Sequence, residues 1–286
     1  MPIGVIAFDF DPVLRLADGL AVRWQTVALV AIVAAGLLAA GLIARRNGLR
    51  ADDLLFIAVA VVPGAVIGGR LGYVLLHLDY YAANTTAIAD PSQGSMELAL
   101  AVVGGVLSGA YVASLLGAPI GLWLRSAALP LLFVLGAGKL AMVLGGSGQG
   151  QPSALPWATA YPGPGPWGSL APEVPSHPSQ AYEGLVTLAI LAVVCVGLVA
   201  GAVRVRDGRL FAGAIAAWAL GRAAVSLTWR DEPAVLGLSA GGLVAAAVAL
   251  GLLGALLITG RRTPGPARLP AKGEVGWADP EKRPRF

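Results

Sequence analysis

The sequence predicts an all-α, polytopic membrane protein with about seven transmembrane helices. Hydrophobic residues make up 57% of the 286-residue chain and charged residues only 13%, against a charged share of about 25% in soluble domains. Several apolar stretches reach the ~20 residues that carry a helix across hydrocarbon. These runs are continuous rather than alternating, which excludes a porin-type barrel, and 39 glycines suit close helix–helix packing in lipid.

Hydropathy places the spans near 21–44, 53–76, 97–117, 120–144, 179–201, 209–228 and 236–259. The third and fourth are divided only by the short, weakly polar stretch Gly117–Gly121. Residues 1–20 precede the membrane domain of 21–259, and the longer connections are 77–96 and 145–178. The tail 260–286, rich in Pro, Lys and Arg, is expected to be disordered. Arg45, Arg46, Arg50, Arg125, Arg204, Arg206, Arg209, Arg261 and Arg262 all fall on one side if the spans number seven, while 77–96 and 145–178 lack Lys and Arg. The positive-inside rule then puts the N-terminus outside and the C-terminus in the cytoplasm.

Several chemistries drop out. Cys195 is the only cysteine, so neither a disulfide nor a cysteine metal cluster is possible, and with no activating neighbour it reads as an inert thiol. Asp9 and Asp11 are wrong for the basic start of a secretory signal peptide. GAGKLAMVLGGSGQG (136–150) has no GKS or GKT, so its glycines read as a turn rather than a phosphate loop. No metal-ligand set, nucleic-acid signature or cofactor is implied.

The candidate chemistry lies in three basic residues inside the spans: Arg70, Lys139 and Arg222. Each costs roughly 2.5–3.5 kcal/mol on insertion scales, so they should face a polar interior and hold something anionic; for Arg70 a structural ion pair to Glu97 or Glu183 is the competitor. All three fall late in outward-running helices, at the level of the outer-leaflet head groups. His177, Gln180 and Glu183 start the fifth span at that level and project on one face. Tyr73 and His77 share a face with Arg70, and Gly64, Gly68 and Gly72 form a ridge of small residues. Trp218, Arg222 and Ser226 share a face of the sixth span. Trp218 and Trp229 also read as interface anchors, and Arg230 as an edge residue paired with Asp231 or Glu232.

The strings DPV (11–13), RW (23–24), DDLLF (52–56), GGRLGYVL (68–75) with LDYY (78–81), GG (104–105), PWA (156–158), HPSQ-YE (177–183), GRLF (208–211), Arg222, and Arg230 with LS-G (238–241) together resemble the bacterial phosphatidylglycerol–prolipoprotein diacylglyceryl transferase family over roughly 11–258. The resemblance implies transfer of diacylglycerol from phosphatidylglycerol to a cysteine thiol of a lipoprotein precursor, with release of glycerol phosphate, in the bacterial cytoplasmic membrane near the outer leaflet. On this reading Arg70, Lys139, Arg222, Gln180 and Tyr73 bind the lipid phosphate, and His177, Arg222 and Glu183 act in catalysis, with His77 as a second base. Departures concern proton handling. Val103 stands for a histidine; Lys139 for an arginine; Met142, Gly145 or Gly146, and Ser147 for two asparagines and a glutamate; Gln25 and Trp218 for tyrosines; and Ser226 for an acid. A catalytically inactive relative that binds anionic phospholipid or lipoprotein precursors is the alternative, and a small transporter a third reading.

Overall fold

The computed structural model describes residues 4–17, 19–90, 93–202 and 207–261. It contains seven helices long and apolar enough to cross a membrane: α1 (Trp24–Arg46), α2 (Ala51–Leu76), α4 (Leu98–Leu115), α5 (Ile120–Ala141), α6 (Ser179–Val199), α7 (Arg209–Val225) and α8 (Ala240–Arg261). The short α3 (Leu78–Ala83) follows α2. The number and order of spans agree with hydropathy. The boundary between the third and fourth spans is real: the helices are parted by a tight turn, with Gly117 at φ +64°. Arg204, Arg206, Arg262 and the tail 262–286 lie outside the described residues.

Packing follows the small residues. α2 lies along α4 because Gly64, Gly68 and Gly104 face one another so closely that a Cβ on Gly104 would collide with the Gly64 carbonyl. The Ser108 hydroxyl donates to the Ala60 carbonyl at 2.7 Å across this seam. α1 packs on α5, α5 on α6, and α7 on α8. α7 is the most enclosed span, and its Phe211, Ile215, Trp218 and Ala219 join Leu132 and Leu135 of α5 in the main core. Trp218 is therefore a core residue and not an interface anchor. Its i, i+4 partner Arg222 is buried with it.

The connections at one end fold into a cap that hydropathy did not reveal. β1 (Ile6–Ala7) pairs in parallel with β4 (Thr159–Ala160), whereas β2 (Val13–Ala17) with β3 (Leu20–Arg23) and β5 (Pro233–Val235) with β6 (Leu238–Ser239) are antiparallel pairs. Phe8 stacks on Tyr161 at 5.0 Å and Phe10 meets Trp167 edge-on at 5.2 Å. These strands are two to five residues long, too short to carry a period-2 signal. The glycine-rich exit of α5 is a turn, as its composition predicted: Gly146 and Gly148 take φ of +72° and +79°, which only glycine adopts without cost.

Candidate functional site

Four charged side chains from four helices meet at the capped end of the bundle. Lys139 comes from the last turn of α5, Glu183 from the second turn of α6, Arg222 from the last turn of α7, and Glu97 from the N-cap of α4. Glu183 sits between the two cations: Oε2 lies 2.9 Å from Lys139 Nζ, and Oε1 accepts from Arg222 Nη1 at 2.6 Å. Glu97 Oε2 caps its own helix by accepting from the Leu100 N–H at 2.6 Å. Its Oε1 lies 3.4 Å from Arg222 Nη2. The two cations and two carboxylates sum to zero charge, the arrangement that makes buried ions tolerable. The Trp229 ring, 4.6 Å from Arg222 Cζ, adds a cation–π contact.

One edge of the Arg222 guanidinium is only partly engaged. Its Nε is buried and has no hydrogen-bond partner, and the Nη2 contact is long at 3.4 Å. Nε and Nη2 form the side-on fork that grips two oxygens of a phosphate or carboxylate. Close by, Gln180 lies one turn before Glu183 on the same face of α6. Its Nε2 donates to the Tyr161 hydroxyl at 3.0 Å, while its Oε1 is buried without a partner. Burial pushes the Tyr161 phenol up to about 12, so it stays protonated. The site thus has one buried donor without a partner, Arg222 Nε, and one buried acceptor without a partner, Gln180 Oε1.

Arg70 is placed elsewhere. Its Nε donates to the Ile88 carbonyl at 2.7 Å, Nη1 to Gln93 and Ser95, and Nη2 to Ala87 and Asp90. That accounts for all five guanidinium donors, so Arg70 offers none to a lipid phosphate and instead holds the 85–95 segment over α2. Tyr73 and His77 sit at the C-terminal end of α2: their rings stack at 4.1 Å, and His77 Nδ1 meets the Tyr73 carbonyl at 2.8 Å. The expectation of three cations around one anion is therefore corrected to two, both already paired with carboxylates.

His177 sits two residues before α6 rather than on it. Its Nδ1 lies 3.4 Å from the Tyr182 hydroxyl, and its backbone joins the Gly150–Gln151 segment. Among the described residues, neither histidine touches the ion-pair cluster. Arg230 does not pair with Asp231 or Glu232. It donates to the Gly150 carbonyl at 2.5 Å and the Ser176 hydroxyl at 2.9 Å, tying the α7 exit to the α6 entry. Gln149, which the sequence reading passed over, is the cap's hub: Nε2 donates to the Thr159 carbonyl at 2.6 Å, and Oε1 accepts from Ser169. Its one signal is that it is the polar residue kept inside a glycine-rich turn.

A family model described as prolipoprotein diacylglyceryl transferase matches residues 12–258. The chain belongs to this family. Similar curated relatives carry the name phosphatidylglycerol–prolipoprotein diacylglyceryl transferase. The Geobacter sulfurreducens protein is 32% identical over 241 residues, covering 81% of this chain and 86% of its own length. The Nitrobacter hamburgensis protein is 30% identical over 265 residues (82% and 81%), and the Bordetella avium protein 35% over 192 (64% and 70%).

The positions that depart from the family pattern have settled locally. Gln25 and Ser147 pair with each other, the serine hydroxyl donating to Gln25 Oε1 at 3.1 Å. Ser226 donates to the Ala223 carbonyl of its own helix at 2.6 Å. Gly148 lies between Met142 and Gln180, and Val103 is a half-buried residue of α4. This chain is a multi-pass membrane protein of the diacylglyceryl transferase family, and the charges of its cluster are paired.

Proposed function

We propose that this protein transfers the diacylglyceryl group of phosphatidylglycerol to a cysteine thiol of a lipoprotein precursor. The observation that carries the reading is the unpartnered Nε of buried Arg222, in a chain whose relatives are named for this reaction. In the transfer, the cysteine sulfur attacks the glycerol carbon that bears the phosphate. A C–S bond forms, the C–O bond breaks, glycerol phosphate leaves with the bonding pair, and the thiol proton passes to a base.

Arg222 is our candidate for gripping the phosphate through its unpartnered Nε and the loosely held Nη2, with Lys139 neutralising the charge that develops on the departing oxygen. Glu183 is a positioning residue that holds Lys139 and Arg222 side by side. Gln180 offers its free Oε1 to a hydroxyl of the glycerol head group. For the thiol proton we assign His177, with His77 second; an imidazole suits proton transfer near neutral pH. We place the capped end outside, in the bacterial cytoplasmic membrane, because Arg45, Arg46, Arg50, Arg125 and Arg209 cluster at the opposite end. The precursor's cysteine then arrives from the outer surface.

The test is transfer of labelled diacylglycerol from phosphatidylglycerol to a cysteine-bearing lipoprotein signal peptide by the purified protein. Label that appears with wild type and vanishes with Arg222→Ala supports the proposal. No label, with saturable phosphatidylglycerol binding that weakens in Lys139→Ala, overturns it in favour of an inactive lipid-binding relative.

A further inference from the structure

A phosphate that enters the ion-pair cluster meets a balanced set of charges. The two cations and two carboxylates already cancel, and a phosphodiester brings one more negative charge. A buried charge without a partner is costly, so one carboxylate has to give way at Arg222. Glu183 is the harder to move, since it touches Lys139 at 2.9 Å and Arg222 Nη1 at 2.6 Å. Glu97 reaches Arg222 Nη2 only at 3.4 Å, well beyond the ~2.7–2.9 Å of a full charge-assisted bond. The guanidinium itself is pinned, by Glu183 at Nη1 and by the Trp229 ring 4.6 Å from Cζ.

Glu97 can release Nη2 without leaving its place. Its backbone N–H donates to the Gly69 carbonyl of α2 at 2.9 Å, and a Cβ on Gly72 would lie 3.0 Å from Glu97 Cβ. The main chain at Glu97 is thus clamped against α2, and only the side chain can turn. Its Oε2 accepts from the Leu100 N–H at 2.6 Å, an N-cap bond, and the start of α4 favours a negative charge there. We propose that Glu97 is a displaceable placeholder on Arg222: one phosphate oxygen of the donor lipid takes Nη2 from Glu97 Oε1, another takes Nε, and Glu97 stays on its cap. It acts as a positioning residue that keeps Nη2 aimed and loosens the grip on the phosphate by like-charge repulsion. Breaking the C–O bond gives the phosphate a second negative charge, so Glu97 repels the departing glycerol phosphate more strongly than the lipid. The proposal rests on the diacylglyceryl-transfer reading and on the phosphate-gripping role of Arg222.

The test measures phosphatidylglycerol binding and transfer by the full-length protein in detergent, with Glu97→Gln and Glu97→Asp beside the wild type. Glutamine keeps the length and an acceptor for the Leu100 N–H but removes the charge. A like charge a few ångströms away is worth more than a factor of ten even at an effective dielectric of ~20, so Glu97→Gln should bind phosphatidylglycerol at least about tenfold more tightly. Glu97→Asp retains a good cap but draws the carboxylate back from Nη2, and should shift Kd in the same direction by less. Added glycerol phosphate should inhibit both variants more strongly than the wild type, with KM and kcat falling together. Diacylglycerol, which has no phosphate, should bind all three forms alike. A merely structural carboxylate would give weaker binding on substitution. Unchanged or weaker phosphatidylglycerol binding in either folded variant, or an equal gain for diacylglycerol, therefore overturns the proposal. If Glu97→Gln does not fold, Glu97→Asp decides by the same criterion. Tighter phosphatidylglycerol binding with no transfer by any form means that the transferase reading has failed and the placeholder role stands.

Discussion

Glu183→Gln is the substitution that probes the cluster most sharply. The carboxylate is almost fully buried and touches Lys139 at 2.9 Å and Arg222 at 2.6 Å. Glutamine keeps the shape but supplies one acceptor where two cations need one each, and the cluster changes from neutral to +1. Its amide NH₂ must then face a donor. Removing one partner of a buried pair costs about 3–5 kcal/mol. At about 2–4 °C per kcal/mol for a chain of this size, the melting temperature in detergent should fall by roughly 6–20 °C. Replacing both ends of a buried pair is often neutral, so Glu183→Gln with Lys139→Met should recover much of the loss. The assay is thermal unfolding of purified single and double variants in one detergent. A single variant within about 2 °C of wild type, or a double variant no better than the single, refutes the claim that Glu183 holds the two cations together.

Other predictions follow from the same contacts. Arg70→Ala strips five donors from the 85–95 segment and should make it the first site of limited proteolysis, with a loss of about 2–4 kcal/mol; an unchanged digestion pattern contradicts the loop-holding role. Gly104→Val should separate α2 from α4, since its Cβ meets the Gly64 carbonyl, lowering stability by about 1–3 kcal/mol as read by thermal unfolding. Tyr161→Phe removes the acceptor for Gln180 and should cost about 1–3 kcal/mol. Because the folded phenol titrates at about 12, above its unfolded value near 10, its contribution is complete below pH 10 and fades as pH rises towards 12. The ultraviolet phenolate titration of the wild type should contain one late step that Tyr161→Phe lacks.

Much of the architecture was legible because lipid enforces it. Seven continuous apolar runs can only become helices, and the glycine ridge on α2 named its own packing face. Lys139, Glu183 and Arg222 were also legible as a group, since their span positions put them at one depth. What the sequence hid was pairing. Glu97 was visible as an acid near a span start, yet nothing local says that its carboxylate reaches Arg222, 125 positions away. Arg70 was misread for the same reason. Its partners are backbone carbonyls of a loop, which have no signature in residue identity. Gln149 was passed over because its role comes from the cap, built of strands too short to announce themselves, and the contact of Trp229 with Arg222 has no local signature.

The central claim, that this chain joins diacylglycerol to a thiol through the Arg222 site, is tested most directly by the products. Purified protein, phosphatidylglycerol and a cysteine-bearing precursor peptide are incubated, and the peptide mass and free glycerol phosphate are measured together. The account predicts a diacylglyceryl adduct on the cysteine with one glycerol phosphate released per adduct, both lost in Arg222→Ala. Peptide of unchanged mass under conditions where phosphatidylglycerol binding is saturated, or adduct formation undiminished by Arg222→Ala, contradicts it.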